Sequence, residues 1–169
     1  MPADNLQIIH EHVAVARVRG ALSAAGLPAD ITVMPEATHT AQAAAIALGC
    51  LVAEIAKSII FRAADGKTVL IITSGENRVD DHKVAALIGQ PVGKADAGFV
   101  REQTGFVIGG VAPVAHATAP IALMDRDLIQ FAWVWPAAGH PNTMFRIAPQ
   151  DLARIAGARI ADVAMRKTT

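Results

Sequence analysis

The run Ile55-Ala56-Lys57-Ser58-Ile59-Ile60-Phe61, followed by Asp65-Gly66 and then Thr68-Val69-Leu70-Ile71-Ile72-Thr73, decides the fold. Both flanks are apolar and rich in β-branched residues, and Asp-Gly between them is a strong hairpin signal. The pattern from Leu51 to Phe61 reads as one strand, interrupted by Glu54 and Lys57, and Thr68 to Thr73 reads as its return. A central hairpin follows, with Lys57 set inside a mostly buried strand.

Upstream of the hairpin, Leu6, Ile9 and Val13 lie at helical spacing, and Ile8, Val15, Val18 and Leu22 widen the stripe. This predicts a helix over about 5–25, stopped by Gly26 and Pro28. Ile31 to Met34 reads as a short strand ended by Pro35, and Thr38-His39-Thr40 caps a helix from Ala41 to Leu48 that Gly49 ends. Downstream, Ser74 to Arg78 is a turn, Asp80 precedes a helix ending at Gly89, and Val92 to Ala95 is extended. Asp96 caps a helix through Gln103 that stops at Gly105. Phe106 to His116 reads as an apolar strand running into a Gly-Gly turn and a proline, and Ile121–Met124, Phe131–Trp135 and Thr143–Ile147 read as further strands. Gly139 to Asn142 is a turn, the last helix starts at Pro149 and ends at Gly157, and Arg159 to Val163 adds an edge strand. About seven strands and five helices, with hairpin and helical connections mixed, predict an α+β domain. Its sheet is curved and mixed, mostly antiparallel, with flanking helices. A dinucleotide-binding unit is excluded, because Gly109-Gly110 lacks a third glycine opening a helix and is followed by Pro113.

A length of 169 residues fits one domain. Hydrophobic residues at 53% against 18% charged exclude disorder, and five Phe, two Trp and no Tyr make the core aliphatic. Every apolar run is broken long before the ~18 residues a spanning helix needs. The first residues, Met1-Pro2-Ala3-Asp4-Asn5, carry no basic region followed by an apolar one, so the expected location is cytoplasmic. Cys50 sits in an apolar stretch and reads as a buried, inert thiol. Fifteen basic and fifteen acidic residues give zero net charge, which argues against broad electrostatic binding of nucleic acid.

No nucleophile elbow surrounds Ser23, Ser58 or Ser74. Among six histidines none forms His-Glu-x-x-His, and His10 and His12 point to different sides of a helix, so neither a metal nor any other cofactor is expected. Lys57 either snorkels to water from a sheet edge or faces a pocket that holds a phosphate or carboxylate. Gly109-x-x-x-Pro113 is either a bulge at a strand end or a loop whose backbone N–H groups face a substrate carbonyl. His116 and His140 read as turn or core residues, or as added hydrogen-bond donors. Asn77-Arg78 is a capped turn, or Arg78 meets a phosphate.

Thr38-His39-Thr40, Ala56 to Phe61, Ser74 to Asp80, Gly109-Gly110-Val111-Ala112-Pro113 and Gly139-His140-Pro141 before Asp151-Leu152 together resemble the YbaK/EbsC family. That family includes the editing domain of bacterial prolyl-tRNA synthetases and its free-standing relatives. The motifs occur in matching order from about residue 28 onward. The resemblance implies a single domain over 1–169, and a trans-editing deacylase that hydrolyses the ester of a mischarged tRNA, typically the tRNA for proline carrying a small amino acid. It implies a metal-free mechanism in which a neighbouring ribose hydroxyl assists the water. Carried over by position, Lys57 holds the terminal phosphate or ribose, while Gly109 and Pro113 frame the loop around the ester. His39, Asn77, Arg78, Gly110, Val111, Ala112, His116 and His140 are the expected substrate contacts, with His140 at a position that varies in the family. Small side chains at Val111, Ala112 and Val114 favour alanine or 2-aminobutyrate.

The implied partners are the aminoacyl end of tRNA and a prolyl-tRNA synthetase, with no membrane, for a monomer or weak dimer. Residues 1–36 hold two basic and four acidic side chains, so residues 37–169 hold 13 basic and 11 acidic. Such a balance suits a protein that grips mainly the aminoacyl end through a few cations. The competing readings are a module that binds aminoacyl-tRNA or a nucleotide without hydrolysis, and an esterase unrelated to tRNA.

Overall fold

The structure, a computed structural model, describes residues 5, 8, 9, 12–34 and 38–166. Helix α1 (Val13–Ala24) buries Val15, Val18 and Leu22. The single helix expected over 5–25 is broken at His12, whose imidazole accepts the Ala14 N–H at 3.1 Å and makes it a cap. Residues 5, 8 and 9 are helical before that break, whereas Leu6, His10, Glu11 and Pro35 lie outside the described residues.

Strand β1 (Ile31–Val33) is followed by α2 (Ala41–Leu48), capped by Thr40 and closed by Gly49 as its sequence implies. A 3-10 turn at Val52–Glu54 replaces the start of the expected strand, with the Glu54 carboxylate accepting the Leu51 N–H. The hairpin is β2 (Ile55–Ala63) with β3 (Thr68–Ser74), antiparallel from Ala56↔Ser74 to Arg62↔Thr68. Helix α3 (Asp81–Ile88), β4 (Val92–Lys94), α4 (Ala97–Thr104) and β5 (Ile121–Asp125) follow. The chain closes with β6 (Trp135–Pro136), β7 (Thr143–Phe145), α5 (Pro149–Ala156) and β8 (Arg159–Ala161).

The main sheet runs β4-β2-β3-β5-β8, with β6 beside the start of β2, and β1 pairs separately with β7. The β2 contacts with β3 and β4 are antiparallel, while β3–β5, β5–β8 and β2–β6 are parallel. Every residue of β3 is buried, because both faces of the sheet are covered. Ala56, Ile60, Leu70 and Ile72 face a core shared with α1, Phe106 and Phe145. Val69, Ile71 and Leu123 face the other way, against Val84 of α3 and Val163. A third cluster packs Ala44 and Ala45 of α2 on Met34, Ile55 and Met144.

One expected strand is absent and a second is shortened. Phe106 to His116 is a chain of turns, in which Gly109 and Ala115 have φ of 92° and 61° and Pro113 has no N–H to give a ladder. The expected strand Phe131–Trp135 is reduced to its end: a 3-10 turn at Arg126–Gln130, capped by Asp125, runs up to Phe131, Val134 bridges Ile147, and Trp135–Pro136 pair with Ile55 and Ala56.

Gly75, directly after β3, is a packing requirement, since a Cβ there would collide with the Val52 carbonyl and press on Ala41 and Ile55 at 3.0 and 3.1 Å. Gly20, exposed in α1, has nothing within 4 Å of such an atom. Gly75→Ala is therefore expected to cost about 1–3 kcal/mol in urea unfolding. Gly20→Ala is expected to add roughly 0.5–1 kcal/mol through helix propensity. Equal effects of the two substitutions would contradict this packing.

Candidate active site

The edge of β2 opposite β3 is only partly covered. Strand β6 pairs with Ile55 and Ala56, β4 pairs with Phe61 to Ala63, and the interval between them is open. Gly75 N donates to Ile55 O and Ala63 N to Lys67 O, so odd-numbered residues of β2 bond toward β3 and even-numbered ones face the other edge. Among the described residues, the N–H and C=O of Ser58 therefore meet no strand neighbour. A cavity of about 260 Å³ lies at this opening. Its walls are Ser58 and Ile55 of β2, Thr40 and Ala44 at the start of α2, Gly109 and Val111 of the long loop, and Thr143 and Met144 of β7. The Ser58 hydroxyl is buried without a hydrogen-bond partner among the described residues. Buried hydroxyls are almost always paired, with protein or with water, so this one keeps hydrogen-bonding capacity at the cavity.

Lys57 stands at the same opening, half-buried, and its ammonium donates to the Asn77 carbonyl at 2.8 Å. The Asn77 side-chain amide in turn donates to Asp125 Oδ2 and Asp127 Oδ2, both at 2.8 Å. Asp125 is wholly buried, and the same Oδ2 accepts from two more donors, the Thr73 hydroxyl at 3.2 Å and the Ser74 N–H at 3.1 Å. Burial lowers the Lys57 pKa from the usual lysine value, the Arg78 guanidinium lowers it further, and Asp125 opposes them. Burial by itself raises the Asp127 carboxyl, but the Asn77 amide and Arg166 outweigh it and hold the group below the usual carboxylate range.

The loop that roofs the cavity is held from behind. Arg17 of α1 donates to the carbonyls of Thr104, Gly105 and Ala115 at 3.1, 3.3 and 2.7 Å, and its guanidinium lies 4.5 Å from the Phe106 ring centroid. His116 Nε2 bonds the Ala112 carbonyl at 2.6 Å, which assigns its proton to Nε2. Burial, and after it Arg17, push the His116 pKa below the usual imidazole value against the opposing effect of the Ala112 carbonyl. The Gly110 N–H is committed to Val107 O, so it is not free for a ligand. A Cβ at Gly110 would meet the His140 backbone at 2.9 Å, which fixes the loop against the Gly139-His140-Pro141 turn. His140 Nδ1 accepts the Asn142 N–H at 3.1 Å, and burial and then His12 lower its pKa.

Of the expected site residues, His39, Lys57, Gly109 and Val111 line one cavity. Asn77, Arg78, Gly110, Ala112, Pro113, His116 and His140 are not among its lining residues. Several of these act at one remove: Asn77 positions Lys57, while Gly110, Ala112 and His116 shape the loop. Ala112 and Val114 belong to the aliphatic core. Reading the sequence missed Ser58, Thr143 and Met144, because only the short pairings of β4 and β6 reveal the open edge. Asp80, Asp81 and His82 come within 4.8 Å as metal-type ligands, but none lines the cavity and Asp80 caps α3.

The model of the aminoacyl-tRNA editing domain matches residues 35–155, and the chain belongs to that family. It is 30% identical over 131 residues to YwhH of Bacillus subtilis (strain 168), covering 78% of this chain and 83% of that protein. It is 34% identical over 98 residues to a proline–tRNA ligase of Desulfovibrio desulfuricans (strain ATCC 27774 / DSM 6949 / MB), covering 57% of this chain and 17% of the ligase. A solved structure of a protein suggested to be a trans-editing enzyme for prolyl-tRNA synthetase superposes with a TM-score of 0.86 at 40% identity, covering 92% of this chain and 99% of that one. No helix among the described residues is long and apolar enough to cross a membrane.

His116 gives the fold a pH dependence. Its folded pKa is depressed, so between that value and the usual 6.5 the unfolded chain binds more protons and stability falls as pH falls. Urea midpoints at pH 7 and pH 5 should therefore differ less for His116→Gln than for the wild type. An unchanged difference would contradict a neutral, buried His116.

Proposed function

We propose that the chain is a trans-editing aminoacyl-tRNA deacylase, which hydrolyses the ester joining a small amino acid to the 3′-terminal adenosine of a tRNA, foremost the tRNA for proline. The observation that carries this reading is the cavity itself: all its walls fall within the residues matched to the editing domain. A synthetase pocket separates side chains differing by a methylene by only about 1–3 kcal/mol, so a second, hydrolytic site is physically motivated.

In the proposed reaction the water oxygen bonds to the ester carbonyl carbon and the bond from that carbon to the ribose oxygen breaks. The ribose oxygen takes up a proton, leaving a free amino acid and an intact 3′-terminal diol. The neighbouring ribose hydroxyl orients the water at high effective molarity, so no nucleophilic side chain is required. Backbone around Gly109 and the Ser58 hydroxyl supply dipoles for charge that develops on the carbonyl oxygen. The Lys57 ammonium uses one of its three donors on Asn77 O, and the others serve an anionic phosphate or a ribose oxygen. Ala44, Ile55 and Met144 form an apolar wall for a small side chain.

Single-turnover deacylation of a panel of mischarged tRNAs tests this. Alanyl-tRNA for proline should be hydrolysed well above the spontaneous rate, and Lys57→Ala should slow it at least about tenfold, a loss of roughly 1.4 kcal/mol. No hydrolysis of any member, or an unchanged rate in Lys57→Ala, would overturn the reading; binding without turnover would favour a non-catalytic module instead. Because the Lys57 pKa is lowered, the ratio of enzymatic to spontaneous rate should decline at a lower pH than an ordinary lysine would allow. Lys57→Arg should remove that decline.

A further inference from the structure

A second cavity, of about 310 Å³, lies beyond Trp135 and contains both tryptophans of the chain. Val134 and Ile147 exchange backbone hydrogen bonds at 2.9 and 3.0 Å, and Val134 points into the core. Trp133 and Trp135, at alternate positions around it, therefore stand on the opposite side. Trp133 is 46% exposed, and the Arg146 guanidinium covers its ring at 4.3 Å from the centroid. Asp30 and Asp151 line the same cavity. An exposed indole carrying a guanidinium stabilises a surface only modestly, and the cleft between Trp133, Trp135 and Leu27 is open at the surface.

We propose that this cavity is a nucleobase subsite for the unpaired cytidines that precede the terminal adenosine of the tRNA. Stacking on aromatic rings with arginine support is how proteins hold unpaired bases, and carboxylates accept from the cytosine amino group. Its place beside the candidate active site supports the assignment: Trp135 packs on the cluster of Ile55 and Met144, both of which line the first cavity. A strand whose aminoacyl end enters the first cavity has its preceding nucleotides delivered to the second. The proposal thus rests on the deacylase reading for its direction, while its binding test does not.

In a Trp135→Phe background, where Trp133 is the sole tryptophan, titration with the trinucleotide cytidylyl-cytidylyl-adenosine should quench its fluorescence saturably, and adenosine alone should not. Trp133→Ala should weaken trinucleotide binding, followed by calorimetry, at least tenfold, and Trp133→Phe should restore most of it. The KM for an alanyl minihelix should rise at least fivefold in Trp133→Ala. Absent quenching, or equal trinucleotide affinity in wild type and Trp133→Ala, would overturn the subsite, and equal quenching by uridylyl-uridylyl-adenosine would overturn its assignment to cytosine. If the wild type hydrolyses no mischarged tRNA, the deacylase reading falls while the trinucleotide titration still decides the subsite.

Discussion

The carboxylate of Asp125, at the end of β5, joins the sheet to the site. One oxygen accepts from the Thr73 hydroxyl, the Ser74 N–H and the Asn77 amide, and the other accepts from the Asp127 N–H at 2.9 Å. A buried carboxylate is costly unless its lone pairs are satisfied, and here they are met by groups that must themselves be fixed in place. The end of β3, the turn after it and the 3-10 turn at Arg126–Gln130 are thereby locked together. Asn77 then has one orientation left, and its carbonyl holds the Lys57 ammonium at the cavity. The half-buried Lys57 ammonium thus takes its position from a side chain on the far side of β3.

The same economy governs the cavity. Neither β4 nor β6 is long enough to complete the edge of β2, and among the described residues the stretch around Ser58 pairs with no strand on that side. Exposed strand edges invite aggregation. Here the start of α2, the Gly109 loop and the Gly139–Asn142 turn surround the opening, so it admits a small group without offering a long edge to another chain. The roofing loop makes no ladder; Arg17 and His116 hold it through its carbonyls, which lets Gly109 keep the left-handed φ that brings its backbone to the cavity.

The hairpin is legible because apolar, β-branched flanks and Asp65-Gly66 all point to one structure, and the helix caps Thr40, Asp80 and Asp96 follow from side-chain chemistry that acts within a few residues. Lys57 was legible as an anomaly, a charge in an apolar strand. The apolar run from Phe106 to His116 misled because its burial comes from the tertiary placement of Val111, Ala112 and Val114 in the core, not from strand pairing. Asn77 and His116, expected as substrate contacts, have hydrogen bonds to Asp125, Asp127 and Ala112, partners that only the fold brings near. Ser58 carries no local signal at all, since a serine in a strand is ordinary until the neighbouring strands stop short.

The central claim is that the cavity at the open edge of β2 receives the aminoacyl end of the substrate. Amide chemical-shift mapping with a non-hydrolysable 3′-amide analogue of alanyl-adenosine tests it most directly, because it reads location without requiring turnover. The expected result is saturable perturbation centred on Ser58, Gly109 and Val111, with the amide of Asn77 responding through Lys57. Binding that leaves Ser58 and Gly109 unperturbed would contradict the claim.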